Sequence, residues 1–283
     1  MLRQVPVPAD AVALAHVTDD VAWLHGFLSR LAATGFPAPV PLPAFAGTSW
    51  TVSSGSLWTL VTFLPGQVVG WAPAPPMAEI GALLARYHAA ASTITPAGQR
   101  PSALPLADVP AILQSGQLAA AGVPASQAAL IRTLAAELAS DLAGIDQAGS
   151  DRLTVHGDFT CHNVLAAGSP PTATGVIDFE LAHAESALAD IGYGLWRSGR
   201  PHQHADRLDV TRVRQFVHGY AGVRPITASQ AAIIPVYLRG RGLQMIAKRI
   251  RAGQPETGML AQVAWTRAHH AELAAALEAS LRG

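Results

Sequence analysis

Asp158, Asn163 and Asp178 are the residues whose types and spacing point most directly to chemistry. The first two lie five residues apart in the polar run HGDFTCHN, which stands between apolar residues. Asp178 lies in the apolar run GVIDF, where a carboxylate is costly unless it is paired or bound to a metal. Carboxylate and amide oxygens suit one hard cation such as Mg²⁺, which fills its remaining positions with phosphate and water. The three residues therefore predict a metal site that also takes a phosphate-bearing ligand.

Asp158 is also placed for proton transfer. It follows His156 by two residues, in a tight turn that Gly157 makes possible. A carboxylate in this position can accept the proton of a hydroxyl that is held in line with a phosphoryl group. Two other readings stay open at this point: the polar residues could cap helices and turns, or His156, Asp158 and His162 could bind a transition metal for hydrolysis.

Short strands and a hairpin are predicted before and around this site. Strands are predicted over 2–7, 49–52 and 57–63, the last two joined by the hairpin signal SSGS. Thr18-Asp19-Asp20 predicts a helix start, and Gly35 its stop. We predict an N-terminal unit over residues 1–65 and a second unit over 66–283, with a break at Leu64-Pro65-Gly66.

The second unit is predicted to be mainly helical. Strands are expected only at 153–155 and 175–179, which flank the polar residues. Apolar periodicity predicts helices over 77–92, 118–142, 211–220, 228–251 and 258–281. Gly122-Val123-Pro124 should split the second of these helices, and Pro235 should kink or divide the fourth.

Composition excludes several classes of protein. Lys+Arg and Asp+Glu both total 19 in the 283 residues, so net charge offers no support for nucleic acid or an anionic membrane as a partner. The single cysteine, Cys161, cannot form an internal disulfide, as expected in a reducing cytosol. The residues MLRQVPVPAD lack the apolar core of a signal peptide, and no run of about 18 apolar residues could span a bilayer. We expect a soluble, cytoplasmic monomer or homodimer.

The motif His-Gly-Asp-x-x-x-x-Asn-Val-Leu, the later Gly-Val-Ile-Asp-Phe-Glu and the following Asp-Ile-Gly resemble the aminoglycoside phosphotransferase and choline kinase-like family, which includes homoserine kinase-like enzymes. The resemblance covers roughly residues 18–200. It implies an α+β, protein-kinase-like fold with two lobes: a small β-containing N-terminal lobe and a large, mainly helical C-terminal lobe. It also implies ATP and Mg²⁺ as cofactors, with the γ-phosphoryl group moving to a hydroxyl of an aminoglycoside-like antibiotic, an amino alcohol or a sugar.

The resemblance also implies a role for individual residues. Asp158 would be the catalytic base, in a loop braced by His156. Asn163 and Asp178 would hold Mg²⁺, and Asp190 would support the loop from behind. The hinge residues that would bind adenine through their backbone are Thr62, Phe63 and Leu64.

The N-terminal part departs from the pattern of the family. No glycine-containing hairpin precedes Arg3, which is the best candidate for the cation that binds the phosphates. The next helix lacks the Glu that would pair with this cation, and Asp19 and Asp20 are better explained as helix caps. We therefore predict a shortened small lobe, and a non-catalytic kinase-like binding protein is the alternative function.

Four residues are candidates for contact with the acceptor. Glu180 follows the metal strand, and His162 lies within the polar loop. A basic run further on contains Arg239, Arg241, Lys248, Arg249 and Arg251. A solvated helix face is the ordinary reading of such a run, but Arg239 and Arg241 in the cleft would favour a carboxylate or phosphate and repel a polycationic aminoglycoside. A homoserine-like amino acid alcohol is then at least as plausible an acceptor as an antibiotic.

Overall fold

The computed structural model describes residues 1–7, 11–44, 47–70, 76–95, 98–145, 151–169, 171–254 and 258–282. The described chain begins with an antiparallel sheet of three strands in the order β1-β3-β2. These strands are β1 (Leu2–Pro6), β2 (Trp50–Ser53) and β3 (Ser56–Leu60). Ser54 and Gly55 between β2 and β3 have φ values of 51° and 70°, the signs of a type I′ turn. The predicted hairpin is therefore present.

Helix α1 spans Ala11–Ala33, so the predicted start at Thr18 is wrong. The Thr18 hydroxyl donates to the carbonyl of Ala15 at 2.8 Å, within the helix, and therefore caps nothing. Gly35 follows the helix with a φ of 82°, as a glycine at a helix end commonly does. The face of α1 with Leu24, Phe27, Leu28 and Leu31 is buried in the core.

Two further antiparallel sheets surround the polar loop. One consists of β4 (Gln67–Val68), β6 (Val164–Ala167) and β7 (Thr172–Val176), in the order β4-β6-β7. The other pairs β5 (Arg152–Val155) with β8 (His183–Ser186). The polar residues 156–163 therefore connect two sheets, and Asp178 lies on the return from one sheet to the other.

The rest of the described chain is mainly helical. The helices are α2 (Met77–Ser92), α3 (Val109–Gln114), α4 (Gln117–Ala120), α5 (Ala125–Gly144), α6 (Ala187–Ser198), α7 (Val210–Ala221), α8 (Ala228–Arg251), α9 (Leu260–Ala268) and α10 (His270–Ala279). The predicted split at Gly122-Val123-Pro124 is present between α4 and α5. Pro235 does not divide α8, which is continuous and begins with a capping box between Thr227 and Gln230. The helix predicted over 258–281 is two helices that meet at His269.

Helices α2 and α7 cross at very short range. A Cβ on Gly81 would lie 1.9 Å from the carbonyl oxygen of Phe216, and one on Gly219 would lie 2.0 Å from that of Ala78. Only glycine allows this approach. The close crossing brings His88 of α2 within 2.8 Å of the Tyr220 hydroxyl of α7, a contact that supports the site described below.

The described chain is thus an α+β fold of small antiparallel sheets with a helical C-terminal region, as predicted. No helix among the described residues combines the length and the apolarity needed to cross a bilayer. The boundary at residue 65 between two lobes stays a prediction.

Candidate active site

The pairing of β6 with β7 brings Asn163 and Asp178 to the same end of a hairpin. Val164 lies opposite Val176, and the Ile177 amide donates to the Asn163 carbonyl at 2.9 Å. The Asn163 side-chain amide donates to the Asp158 carbonyl at 2.8 Å and lies 3.3 Å from its carboxylate. The three residues therefore form one cluster, and their catalytic and metal-binding roles stay predictions.

Asp178 has a different setting from the one predicted. Strand β7 ends at Val176, so Asp178 follows the strand and is exposed to solvent. Its φ of 65° is left-handed, a conformation that is uncommon for residues other than glycine and that is frequent at functional sites. Its carboxylate makes no hydrogen bond or ion pair with any described residue. Exposure and this backbone geometry leave both oxygens open to a ligand.

The oxygen donors of this cluster fit Mg²⁺. The NH₂ group of Asn163 donates its hydrogen bond to Asp158. The Asn163 side-chain oxygen Oδ1 therefore faces away from that bond. The Asp178 carboxylate supplies the second donor. Mg²⁺ typically takes one or two protein oxygens and completes its octahedron with phosphate and water. Binding of Mg²⁺ by Asn163 and Asp178 stays a prediction.

His156 braces the loop through both ring nitrogens. Nδ1 accepts the Asp158 amide hydrogen at 3.2 Å, so Nε2 carries the proton and donates to the Ile177 carbonyl at 3.0 Å. Burial lowers the pKa of His156, which keeps the ring neutral. With both nitrogens engaged, the ring has no lone pair for a transition metal, which argues against the hydrolytic reading.

Asp190 lies behind the loop and is fully buried. Its carboxylate accepts from the amides of His156 at 2.7 Å and Gly157 at 2.9 Å, and from His88 Nε2 at 3.1 Å. Burial alone would raise the pKa of Asp190, but these hydrogen bonds outweigh it and lower the pKa. His88 receives the Tyr220 hydroxyl on its other nitrogen, so α2 and α7 both hold the carboxylate in place.

The turn at Gly157 accepts only glycine. Its φ is 77°, and a Cβ there would lie 2.2 Å from the carbonyl oxygen of Leu181. This contact sets the polar loop directly against the chain that follows Asp178. The motif glycine is therefore needed both for the turn and for the closeness of the two segments.

Arg241 contacts the candidate base. Its Nη2 lies 3.0 Å from Asp158 Oδ1, and its Nη1 donates to Gln244 Oε1 at 2.6 Å. The guanidinium also lies over the ring of Tyr193, 5.0 Å from its centre. Only 3% of the Arg241 side chain is exposed, and its guanidinium already contacts Asp158 and Gln244.

The structure does not bring Arg239 into this cluster. Residues two apart on a helix face in nearly opposite directions, and Arg239 forms an ion pair with Asp141 of α5. His162 is half-buried in the loop, and burial lowers its pKa, with a further contribution from Arg197. Asp158 acts on the pKa of His162 in the opposite direction and raises it.

Arg3 and Glu180 lie together at the mouth of the site. Arg3 Nη2 is 2.5 Å from Glu180 Oε1, with 39% and 45% of the two side chains exposed. Partial burial raises the pKa of Glu180, while Arg3 acts in the opposite direction. Arg3 of strand β1 thus contacts Glu180, which follows Asp178 by two residues.

Arg100 is a site residue that the sequence did not reveal. It is 7% exposed, and its guanidinium donates hydrogen bonds to both carboxylate oxygens of Asp20 in α1. The same guanidinium donates to the carbonyls of Phe179 and Glu180, which directly follow Asp178. The interpretation of Asp20 as a helix cap is therefore wrong, since it lies inside α1 and pairs with a cation. Asp19 is likewise inside the helix. No local pattern around Arg100 marked this role.

The hinge segment has open backbone groups. Thr62 is engaged, because its amide donates to the Val40 carbonyl at 2.9 Å and its hydroxyl accepts from the Val40 amide at 2.9 Å. Phe63 is 78% exposed. Among the described residues, neither Phe63 nor Leu64 has a backbone hydrogen-bond partner, so this edge is available to a base. Adenine binding here stays a prediction.

Comparison with known proteins agrees with the motifs. The model of the phosphotransferase enzyme family called APH matches residues 11–226. A homoserine kinase from Acidiphilium cryptum is 28% identical over 235 residues, which cover 82% of this chain and 69% of that protein.

Two solved kinases share the fold. A microcompartment-associated aminopropanol kinase has a TM-score of 0.63 and 20% identity, over 99% of this chain and 86% of the other. The amicoumacin kinase hAmiN in complex with AMP-PNP, Ca²⁺ and Ami has a TM-score of 0.64 and 16% identity, over 96% and 80%. A family match over most of the chain, on the motifs that form the polar cluster, establishes that the protein belongs to the APH phosphotransferase enzyme family.

Proposed function

We propose that this protein is a kinase that transfers the γ-phosphoryl group of ATP to a hydroxyl of a small molecule. The observation that carries the proposal is the cluster in which a partly exposed carboxylate, Asp158, is fixed beside two oxygen donors, Asn163 and Asp178. Proton acceptance and metal binding beside a phosphate are the two requirements of this chemistry.

Asp158 is the proposed general base. Its Oδ1 is held by Arg241 at 3.0 Å, and its Oδ2 lies 3.3 Å from the side-chain nitrogen of Asn163. The acceptor hydroxyl gives its proton to this carboxylate as its oxygen bonds to the γ-phosphorus. The bond from that phosphorus to the bridging oxygen breaks, and ADP leaves. Positioning and charge neutralisation account for most of the catalysis in such transfers.

Asn163 and Asp178 are the proposed ligands of Mg²⁺, which when bound would neutralise phosphate charge. The N-terminal lobe, residues 1–65, is the proposed nucleotide-binding lobe, with adenine on the backbone of Phe63 and Leu64 and Arg3 near the phosphates. The structure of amicoumacin kinase with AMP-PNP and Ca²⁺ supports an adenine nucleotide and a divalent cation for this fold.

Homoserine is the first acceptor to test. The relatives at 26–30% identity over 82% of this chain are named homoserine kinases. Homoserine carries the primary hydroxyl that the reaction needs. An amino alcohol comes second, because a solved structure with the same fold is named an aminopropanol kinase.

ADP release measured over a panel of amino alcohols, hydroxy amino acids, sugars and aminoglycosides would test the proposal. We expect turnover with at least one small hydroxyl compound that requires both ATP and Mg²⁺ and is lost in Asp178→Ala. Mg-ATP should also raise the melting temperature, by linkage. A rise in melting temperature without turnover on any acceptor would instead support the non-catalytic binding protein.

A further inference from the structure

Lys248 is the one lysine of the sequence; the other members of its 19 Lys+Arg residues are arginines. Lysine offers a compact ammonium on a flexible stem, whereas arginine offers a planar fork that suits fixed, paired contacts. The other cations of the site, Arg3, Arg100 and Arg241, are arginines in such fixed contacts. Lys248 therefore differs from them in carrying a compact charge on a flexible stem, and its surroundings indicate what it can bind.

Lys248 lies on the face of α8 that is turned toward Asp158. It follows Arg241 by seven residues and Gln244 by four, and these spacings share one side of a helix. Arg241 contacts Asp158 at 3.0 Å, and Gln244 donates to the Leu104 carbonyl at 2.7 Å. Gln244 thereby ties α8 to the segment that begins with Arg100. Lys248 stands one turn beyond this tie.

The environment of Lys248 is charged and partly dry. Burial lowers its pKa to about 8, Arg241 and Arg100 lower it as well, and Asp158 opposes them. The ammonium is thus within electrostatic reach of the candidate base and of the two arginines. It is still mostly protonated at neutral pH.

The three arginines at this site each have a carboxylate. Arg241 pairs with Asp158, Arg100 with Asp20 and Arg3 with Glu180. Lys248 is half-buried and forms no ion pair or hydrogen bond with the described residues. Asp158, the carboxylate that acts on Lys248, is already paired with Arg241, so an anion from outside would stabilise the half-buried ammonium.

We propose that Lys248 binds a carboxylate of the acceptor, and so makes the enzyme selective for hydroxyl compounds that carry an anionic group. This inference rests on the proposed function. The acceptor is favoured over ATP because Lys248 approaches Asp158 from α8, on the side of Arg241, whereas the open metal-binding oxygens belong to Asn163 and Asp178 of the β6–β7 hairpin. Arg239 and Arg241, the residues first considered for this role, are occupied by Asp141 and Asp158.

A matched pair of acceptors isolates the carboxylate. L-Homoserine and 3-amino-1-propanol differ only in that a hydrogen of the second replaces the carboxylate of the first. Loss of one charged contact should lower the ratio of their kcat/KM values about 30-fold in Lys248→Met. Lys248→Arg should recover part of the ratio. Arg251→Met removes an exposed cation from the same helix and should leave the ratio unaltered. An equal loss of kcat/KM on both acceptors in Lys248→Met, or no loss on either, would overturn the inference. Turnover by the unaltered enzyme would still support the kinase function.

A binding measurement makes the inference independent of turnover. Reductive ¹³C-methylation keeps the charge of lysine and gives one side-chain NMR signal besides that of the N-terminal amine. Lys248→Arg identifies it by its loss. With AMP-PNP present, L-homoserine should shift this signal and 3-amino-1-propanol should not. A shift produced by AMP-PNP alone, or no shift with L-homoserine, would contradict the inference. A shift with L-homoserine but no turnover on any acceptor would count against the kinase only.

Discussion

The polar loop and the N-terminal sheet both lie close to Asp178, but their site residues are held by different numbers of contacts. Asp190, behind the loop, is fully buried and accepts three hydrogen bonds from two segments of the chain. Arg3, on the N-terminal sheet, reaches the cleft through one partly exposed ion pair with Glu180. Buried networks fix geometry, whereas exposed pairs are weak and easily exchanged for a ligand. We call the polar loop with Asp178 and Asp190 the floor of the site, and the Arg3–Glu180 pair its roof. The comparison predicts that the floor is rigid and that the roof is adaptable.

The sharpest test of the floor is Asp178→Ala. Loss of this proposed metal ligand should reduce kcat/KM for ATP and acceptor by roughly 10³-fold, since a bound cation contributes several kcal/mol to charge neutralisation. The fold should be retained, because the carboxylate is exposed and has no partner among the described residues. Steady-state kinetics with a thermal melt would check both points. Unchanged turnover in a folded variant would remove Asp178 from the site.

Asp190→Ala should instead weaken the fold. It leaves the amides of His156 and Gly157 and the ring of His88 without their acceptor in a dry interior, at a cost of roughly 3–5 kcal/mol in the free energy of unfolding. Urea denaturation would measure it. Asp209→Ala is the matched control, since it removes a partly exposed N-cap carboxylate of α7 and should cost only about 1 kcal/mol. Equal losses in the two variants would show that the floor is no more rigid than the surface.

Arg100→Met tests the link between the two regions. Because Arg100 joins Asp20 of α1 to the carbonyls after Asp178, its loss should weaken the apparent Mg²⁺ affinity about 10- to 100-fold, as supporting contacts of metal sites do. Asp20→Asn should act in the same direction. Mg²⁺ titration of turnover, read separately from KM for the acceptor, distinguishes this from general damage. Arg152→Met, at a half-exposed arginine, is the control. An unchanged Mg²⁺ titration would reject the positioning role of Arg100.

The smallest effects are expected at the roof. Arg3→Met and Glu180→Gln should each change the free energy of unfolding by less than about 1 kcal/mol, because the pair is partly exposed. Only Arg3→Met should raise KM for ATP, since Arg3 is the proposed partner of the phosphates. Denaturation curves and ATP saturation curves check the two statements. A rise in KM for ATP in Glu180→Gln as large as in Arg3→Met would show that the pair acts as a structural unit.

Local chemistry made part of this protein readable in advance. The hairpin before residue 60 followed from SSGS between two strands, and the break before α5 followed from Gly-Val-Pro. The cluster motif fixed its own turn, because glycine at 157 readily adopts the required φ of 77°. In each case the deciding atoms lie within a few residues of one another.

The errors share one physical origin. Thr18 looked like a helix cap because its type suits a cap, but α1 begins earlier and its hydroxyl bonds within the helix. Asp20 looked like a cap for the same reason, whereas it pairs with Arg100, 80 residues away. Propensity describes a residue alone, and burial against a distant segment overrides it.

The sequence by itself determined the family, the α+β class and the list of polar residues from which a phosphoryl-transfer site can be built. These depend on short motifs whose spacing is set by one turn or one strand pair. Only the tertiary structure decided which of the described cations at the site pair with a carboxylate and which do not. It placed Arg241 on Asp158, Arg239 on Asp141 and Arg100 on Asp20, and left Lys248 without a described partner. Ion pairing in a folded chain depends on which distant surfaces become buried together, and no local spacing encodes that.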